Sequence, residues 1–158
     1  MITQDPIEWD SHLKWFEGLS QKVSEVWFVY EHPSLGPCGV VNFKGLCQEL
    51  GRAEWGFYMA PHAKVGMGSL MGREAIKYAF EVLDLKRLEA NVLPSNVRSL
   101  HFHLKMGFRL VGFFDLSEAL AQLAIISEGD ESGRMVPFEL LKSNNADDTA
   151  LLSDAAPK

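Results

Sequence analysis

The sequence is short of cysteine, of basic charge and of long apolar runs. Its two cysteines, Cys38 and Cys47, cannot build a disulfide framework and stand in no C-x-x-C pair. A reducing, cytoplasmic setting is therefore the expectation. No apolar run approaches the roughly 18 residues that a membrane span needs; Val26 to Tyr30 is a typical short one. No basic-then-apolar leader stands at Met1. Lys and Arg number 15 against 21 Asp and Glu, for a formal net charge of −6. Without a basic block the chain is a poor partner for nucleic acid. Internal repeats are absent as well.

What remains is ordinary globular material. The 158 residues are 47% hydrophobic and 23% charged, enough for one domain that buries about 70% of its unfolded surface. Ile7 to Leu19 reads as an amphipathic helix with Pro6 at its first turn. Three strands follow at Val23 to Tyr30, Val40 to Phe43 and Ala53 to Ala60, separated by the turn chemistry of His32 to Gly39 and Glu49 to Arg52. The period then changes. Gly72, Ile76, Ala79, Phe80 and Leu83 repeat at helical spacing across Gly68 to Leu83. A strand at Arg87 to Leu93, a helix at Asn96 to Met106 stopped by Gly107, and a strand at Phe108 to Phe114 complete a β-α-β-α-β run. Asp115 to Ile126 reads as a short helix, residues 128–133 as a loop and Arg134 to Leu141 as a last strand. The expected fold is thus α/β, a mixed sheet with a parallel crossover over the long helix, in one domain over 1–142. The polar tail, 143–158, is expected to be disordered.

The most informative segment joins the third strand to the long helix through K-V-G-M-G-S, residues 64 to 69. Two glycines let backbone N–H groups turn toward one point where a helix begins, which suits a phosphate or pyrophosphate. A glycine turn that merely brings helix and strand together explains the same segment equally well. Competing motifs fail on spacing. Gly66, Gly68 and Gly72 read G-x-G-x-x-x-G, which is not the dinucleotide fingerprint, and there is neither a P-loop nor a G-x-S-x-G elbow. The five histidines do not make a metal site by spacing.

A second segment gives the loop meaning. Residues 96 to 108, N-V-R-S-L-H-F-H-L-K-M-G-F, place Asn96, Ser99 and His103 on one helix face. Together with the glycine loop this resembles the GCN5-related N-acetyltransferase (GNAT) family over roughly residues 24 to 114. The strings A-E-W-G-F-Y, G-S-L-M-G, Y-A-F and H-x-K-x-G-F, with H-x-x-W-F upstream, look like the members that acetylate a UDP-linked amino-dideoxy sugar in pseudaminic acid biosynthesis. The resemblance implies acetyl-CoA as co-substrate and no metal. It implies that Lys64, Val65, Gly66, Met67, Gly68 and Ser69 cradle the coenzyme pyrophosphate. Met59, Asn96, Ser99, Phe102 and Lys105 would border the rest of the coenzyme. Asn42, Glu54, Tyr58 and Asn91 would face the sugar.

The chemistry implied is direct attack of an uncharged amine on the thioester. It needs a proton acceptor, donors for the oxyanion and an acid for the leaving thiolate. Backbone N–H groups at Tyr58 and Met59 are expected to meet the acetyl carbonyl, although Tyr58 also suits an ordinary strand aromatic. His103 stands where the family usually has a tyrosine and is expected to protonate the thiolate; a hydrogen-bonded structural histidine is the competing reading. Glu54 is the expected base or water-holder, with Glu89 and Asn91 able to order the same water, unless Glu54 is simply solvated. Trp9, Trp15, Trp27 and Trp55 either wall a sugar or uracil site or pack the core, and core packing is expected of at least two. Lys64 and Arg73 would offset phosphate charge.

Four features depart from the family pattern. Ala63 stands where the loop usually opens with Arg or Gln, His103 replaces tyrosine, and the segment after Phe114 is long. The usual first strand and helix are expected to be missing, since only six residues precede the Ile7 helix. The Val23 to Tyr30 strand would then be an open apolar edge able to pair with a second copy as a homodimer. Two further functions suit the same residues: acetylation of a protein N-terminus or another small amine, and a non-catalytic coenzyme A-binding or partner-dependent module.

Overall fold

Runs rich in branched and aromatic residues build three successive strands: β1 (Glu25–His32), β2 (Gly36–Cys47) and β3 (Arg52–Met59). Each pairs antiparallel with the next. The computed structural model describes residues 8–111 and 135–142. Ahead of the meander lies α1 (Trp9–Leu19). After it come α2 (Met67–Glu81), β4 (Arg87–Val92), α3 (Val97–Lys105), β5 (Arg109–Leu110) and β6 (Val136–Leu141). Among the described residues the strands form one sheet in the order β1-β2-β3-β4-β6-β5. β3 and β4 are parallel and linked over α2, and β6 enters between β4 and β5 antiparallel to both. This is the mixed sheet that the change of period implies.

Two strands differ most from the sequence reading. β2 begins at Gly36 rather than Val40. Gly36 to Gly39 has the composition of a turn, but pairing with Tyr30, Glu31 and His32 draws it into the sheet, and a bulge between Tyr30 and Glu31 absorbs the extra residue. The strand expected at Phe108 to Phe114 is regular only at Arg109–Leu110, and its end lies outside the described residues. The Asp115 to Ile126 helix, the 128–133 loop and the 143–158 tail also lie outside them.

Helix ends are set by local chemistry. Asn96 caps α3, its Oδ1 accepting the Ser99 N–H at 3.1 Å. Gly107, at φ +88°, ends it. The Gly107 N–H meets the Leu104 carbonyl and the Phe108 N–H meets the His103 carbonyl, each at 3.0 Å, which is a Schellman closure.

The core lies between the sheet and the α2–α3 pair. Phe43, Leu85 and Leu88 are completely buried there and Phe138 nearly so, each contributing about 1.5–3 kcal/mol of burial free energy. Gly72 lets the two helices approach, since a Cβ there would stand 2.8 Å from the Phe102 ring. α1 is different. None of its residues is buried, and its Trp15 ring meets Trp27 of β1 edge-on at 5.0 Å.

Candidate active site

β3 and β4 pair at only three positions, Arg52 with Arg87, Ala53 with Leu88 and Glu54 with Glu89. Beyond Glu54 the two parallel strands part, and a V-shaped opening separates Trp55–Met59 from the end of β4. The N–H of Ala60 reaches back to the Cys38 carbonyl of β2 at 2.8 Å. Alternation along an antiparallel strand therefore turns the Met59 N–H away from β2 and into the opening, while Tyr58 faces its β2 partner Val40. Of the two amides expected to meet an acyl oxygen, Met59 is the one so directed, and Tyr58 is not.

At the mouth of the opening the chain passes into α2. Gly66 caps this helix with φ +92°, a conformation that a side chain would strain. The Met67 N–H is held by the Lys64 carbonyl at 3.2 Å and the Ser69 N–H by the Gly66 carbonyl at 3.0 Å. The N–H groups of Val65, Gly66 and Gly68 have no partner among the described residues. Three free donors at the positive end of a helix dipole form a cradle of the right chemistry for a phosphate. Met67 plays another part. It is buried, and its Sδ lies 3.3 Å from the Lys64 N–H, so it shapes the loop from behind. Lys105 reaches across from α3 to the Ser69 hydroxyl at 3.4 Å.

A cleft of about 480 Å³ runs from this opening along α3. It gathers Met59, Gly68, Asn91, Asn96, Ser99, Phe102 and His103, all candidates from the sequence. Trp55, Phe57, Leu93, Arg98 and Met135 join them and were not foreseen as wall residues of this cleft. Alternation on β3 is the signal that finds Trp55 and Phe57, because they share the Met59 face.

His103 is not placed as a proton donor. It is 3% exposed, and both ring nitrogens are engaged. Nε2 lies 3.1 Å from the Trp55 indole N–H, and Nδ1 lies 2.7 Å from the Ser99 carbonyl oxygen. An indole nitrogen only donates and a carbonyl only accepts, so the ring is neutral with its proton on Nδ1. Burial holds its pKa below the ordinary 6.5, opposed by the Ser99 bond. With Nε2 turned to the Trp55 indole and Nδ1 to the Ser99 carbonyl, the ring has no free N–H to offer a thiolate, which speaks against the expected acid role.

The opposite sheet face carries the other candidates. Register places Asn42 beside Gly56 and Lys44 beside Glu54 across β2 and β3, with Tyr58 further along the same face. Glu54 is exposed and makes no hydrogen bond or ion pair among the described residues. Tyr58 is exposed as well, and Asn42 lies over Gly56, where a Cβ would stand 3.2 Å from its Oδ1. Glu89 is not free to order water as expected. Arg87 holds it at 2.9 Å and Arg52 at 3.3 Å, in a ladder continued by Glu139 and Arg109. Of the tryptophans, Trp55 is core, Trp27 is half-buried under Lys44 and Trp15, and Trp9 is exposed.

Known proteins share this fold. The family model described as an acetyltransferase (GNAT) domain matches residues 1–109. Acetyltransferase PseH of Campylobacter jejuni (strain 81-176) is 30% identical over 105 residues, covering 66% of this chain and 64% of that protein. The chain therefore spans a little under two-thirds of that relative. The crystal structure of C. jejuni N-acetyltransferase PseH in complex with acetyl coenzyme A superposes with TM-score 0.64 at 26% identity, covering 85% of this chain and 79% of that one. Spermidine N-acetyltransferase from Vibrio cholerae, in complex with CoA and spermine, shares the fold with TM-score 0.68 at 21% identity, over 87% of this chain and 78% of that one.

Proposed function

This chain belongs to the acetyltransferase (GNAT) family, and we propose that it transfers acetyl from acetyl-CoA to the 4-amino group of a UDP-linked amino-dideoxy sugar. The opening between β3 and β4, with the Met59 N–H turned into it and three free amides at its mouth, carries the transferase part of the reading. The likeness to PseH and the sequence strings around Glu54 and Tyr58 support the sugar-nucleotide part.

The residues fit a coenzyme laid along this path. Val65, Gly66 and Gly68 would hold the pyrophosphate by their N–H groups, with Lys64 and Lys105 supplying charge in an acidic chain. Asn96, Ser99 and Phe102 would border the pantetheine arm. The amine approaches from the Glu54 face and its nitrogen bonds to the carbonyl carbon as the C–S bond breaks. The Met59 N–H stabilises the oxyanion between. Glu54, acting directly or through water, takes the amine proton, and the thiolate regains a proton from solvent. A thiol of pKa about 8.5 needs little assistance.

Release of free thiol from acetyl-CoA, measured with the UDP-amino sugar, N-terminal peptides and spermine side by side, tests this. Turnover confined to the sugar nucleotide supports it. Turnover only with peptides or polyamine removes the sugar assignment, and tight acetyl-CoA binding with no turnover on any acceptor removes the enzyme.

A further inference from the structure

Trp55 is the first residue of β3 beyond its last pairing with β4. It stands at the apex of the V, where the ladder that holds the strands together has ended. Its indole N–H crosses to His103 on α3, 48 residues away in sequence. His103 in turn donates to the Ser99 carbonyl of its own helix. The bond thus joins the inner end of the opening to the helix that forms its wall.

We propose that the Trp55–His103 hydrogen bond is a pin that sets the width of the coenzyme cleft, and that His103 is a neutral positioning residue. The activity readouts below rest on the acetyltransferase reading, whereas the spectroscopic one does not. Only the Nδ1–H tautomer satisfies both partners. The Nε2–H tautomer would set two N–H groups against each other at the indole and leave the Ser99 carbonyl without its proton, and an imidazolium would repel the indole N–H. The surroundings select the neutral form. Trp55 and Phe57 of β3, Phe102 of α3, Phe138 of β6 and Phe108 before β5 enclose the ring. None of these titrates, and the charged residue that lines the same cleft, Arg98 of α3, is exposed.

The sign of the pH effect separates a pin from an acid. A pin needs the neutral ring, so it fails as pH falls through the lowered pKa of His103, and the KM for acetyl-CoA rises on the acid side. An acid needs the charged ring, so kcat would fall on the alkaline side. Folding stability follows the pin. Below pH 6.5 the unfolded chain takes up a proton that the folded ring resists, so stability is lost as the pH drops.

Long-range ¹H–¹⁵N spectra of the whole chain with labelled histidine read the tautomer directly, with no substrate present. One ring held as Nδ1–H at pH 7 supports the pin; an Nε2–H or cationic His103 overturns it. In kinetics, W55F and His103→Leu should each raise the acetyl-CoA KM about tenfold with a smaller change in kcat. His103→Gln, whose amide offers both an acceptor and a donor, should recover most of the affinity lost in His103→Leu. An equal fall in kcat of about 100-fold in both His103 variants would instead mark an acid.

Discussion

The face of the sheet beneath α2 and α3 is closed by Phe43, Leu88 and Phe138, none more than 1% exposed, whereas α1 on the other face buries no residue at all. On the first face, position is set by packing: ring against ring, and Gly72 against Phe102. On the second, the register of the strands presents Glu54 and Tyr58 at the surface, with Asn42 buried beside them over Gly56. The proposed coenzyme side is therefore rigid and specified by volume, while the proposed acceptor side is specified by surface groups. Substitutions should separate accordingly, into losses of stability on one face and losses of turnover on the other.

Glu54→Gln should break the comparison most sharply if it is wrong. Removing a positioned base costs about 10²- to 10⁴-fold in rate, and kcat should fall in that range while the urea midpoint stays unchanged. Unaltered kcat would return Glu54 to the solvated surface. Leu88→Ala makes the reverse test. A fully buried leucine leaves a cavity worth about 2–5 kcal/mol, visible in equilibrium urea unfolding. Gly66→Ala lies between the two faces in character. Its φ of +92° costs a side chain about 1–2 kcal/mol, and the displaced amides should weaken coenzyme A binding by calorimetry. Smallest of all, Trp15→Ala on α1 should cost about 1 kcal/mol or less, because that ring is already 40% exposed.

The same contrast governs what the sequence discloses. Periodicity and turn chemistry located α2, β4 and α3 to within about two residues, because the alternation and caps are local. The glycine turn into α2 was legible for the same reason, although which glycine takes the positive φ was not. Gly36 to Gly39 misled, since Gly and Pro describe a turn in isolation and only pairing with β1 makes them a strand. The environment of His103 was hidden for a stronger reason. Its partner Trp55 lies on another element, and no spacing rule joins an indole to an imidazole across the core. Nor does the chain itself disclose that Glu89 is shared by Arg52 and Arg87: Arg87 is its neighbour on β4, but Arg52 reaches it only once β3 and β4 lie side by side.

The apolar groove between β1 and α2, about 330 Å³ and lined by Phe28, Tyr30 and Tyr78, is the natural rival for a ligand. Its walls are mainly aromatic and aliphatic, with Glu74, Lys77 and Glu81 among them, and it lies away from the Gly66–Gly68 amides. Backbone ¹H–¹⁵N shift mapping during addition of coenzyme A decides between the two. The proposed site predicts the largest shifts at Met59, Val65, Gly66 and Gly68, with β1 and α1 quiet. Shifts centred on Phe28, Tyr30 and Tyr78, with those four amides unmoved, would contradict it.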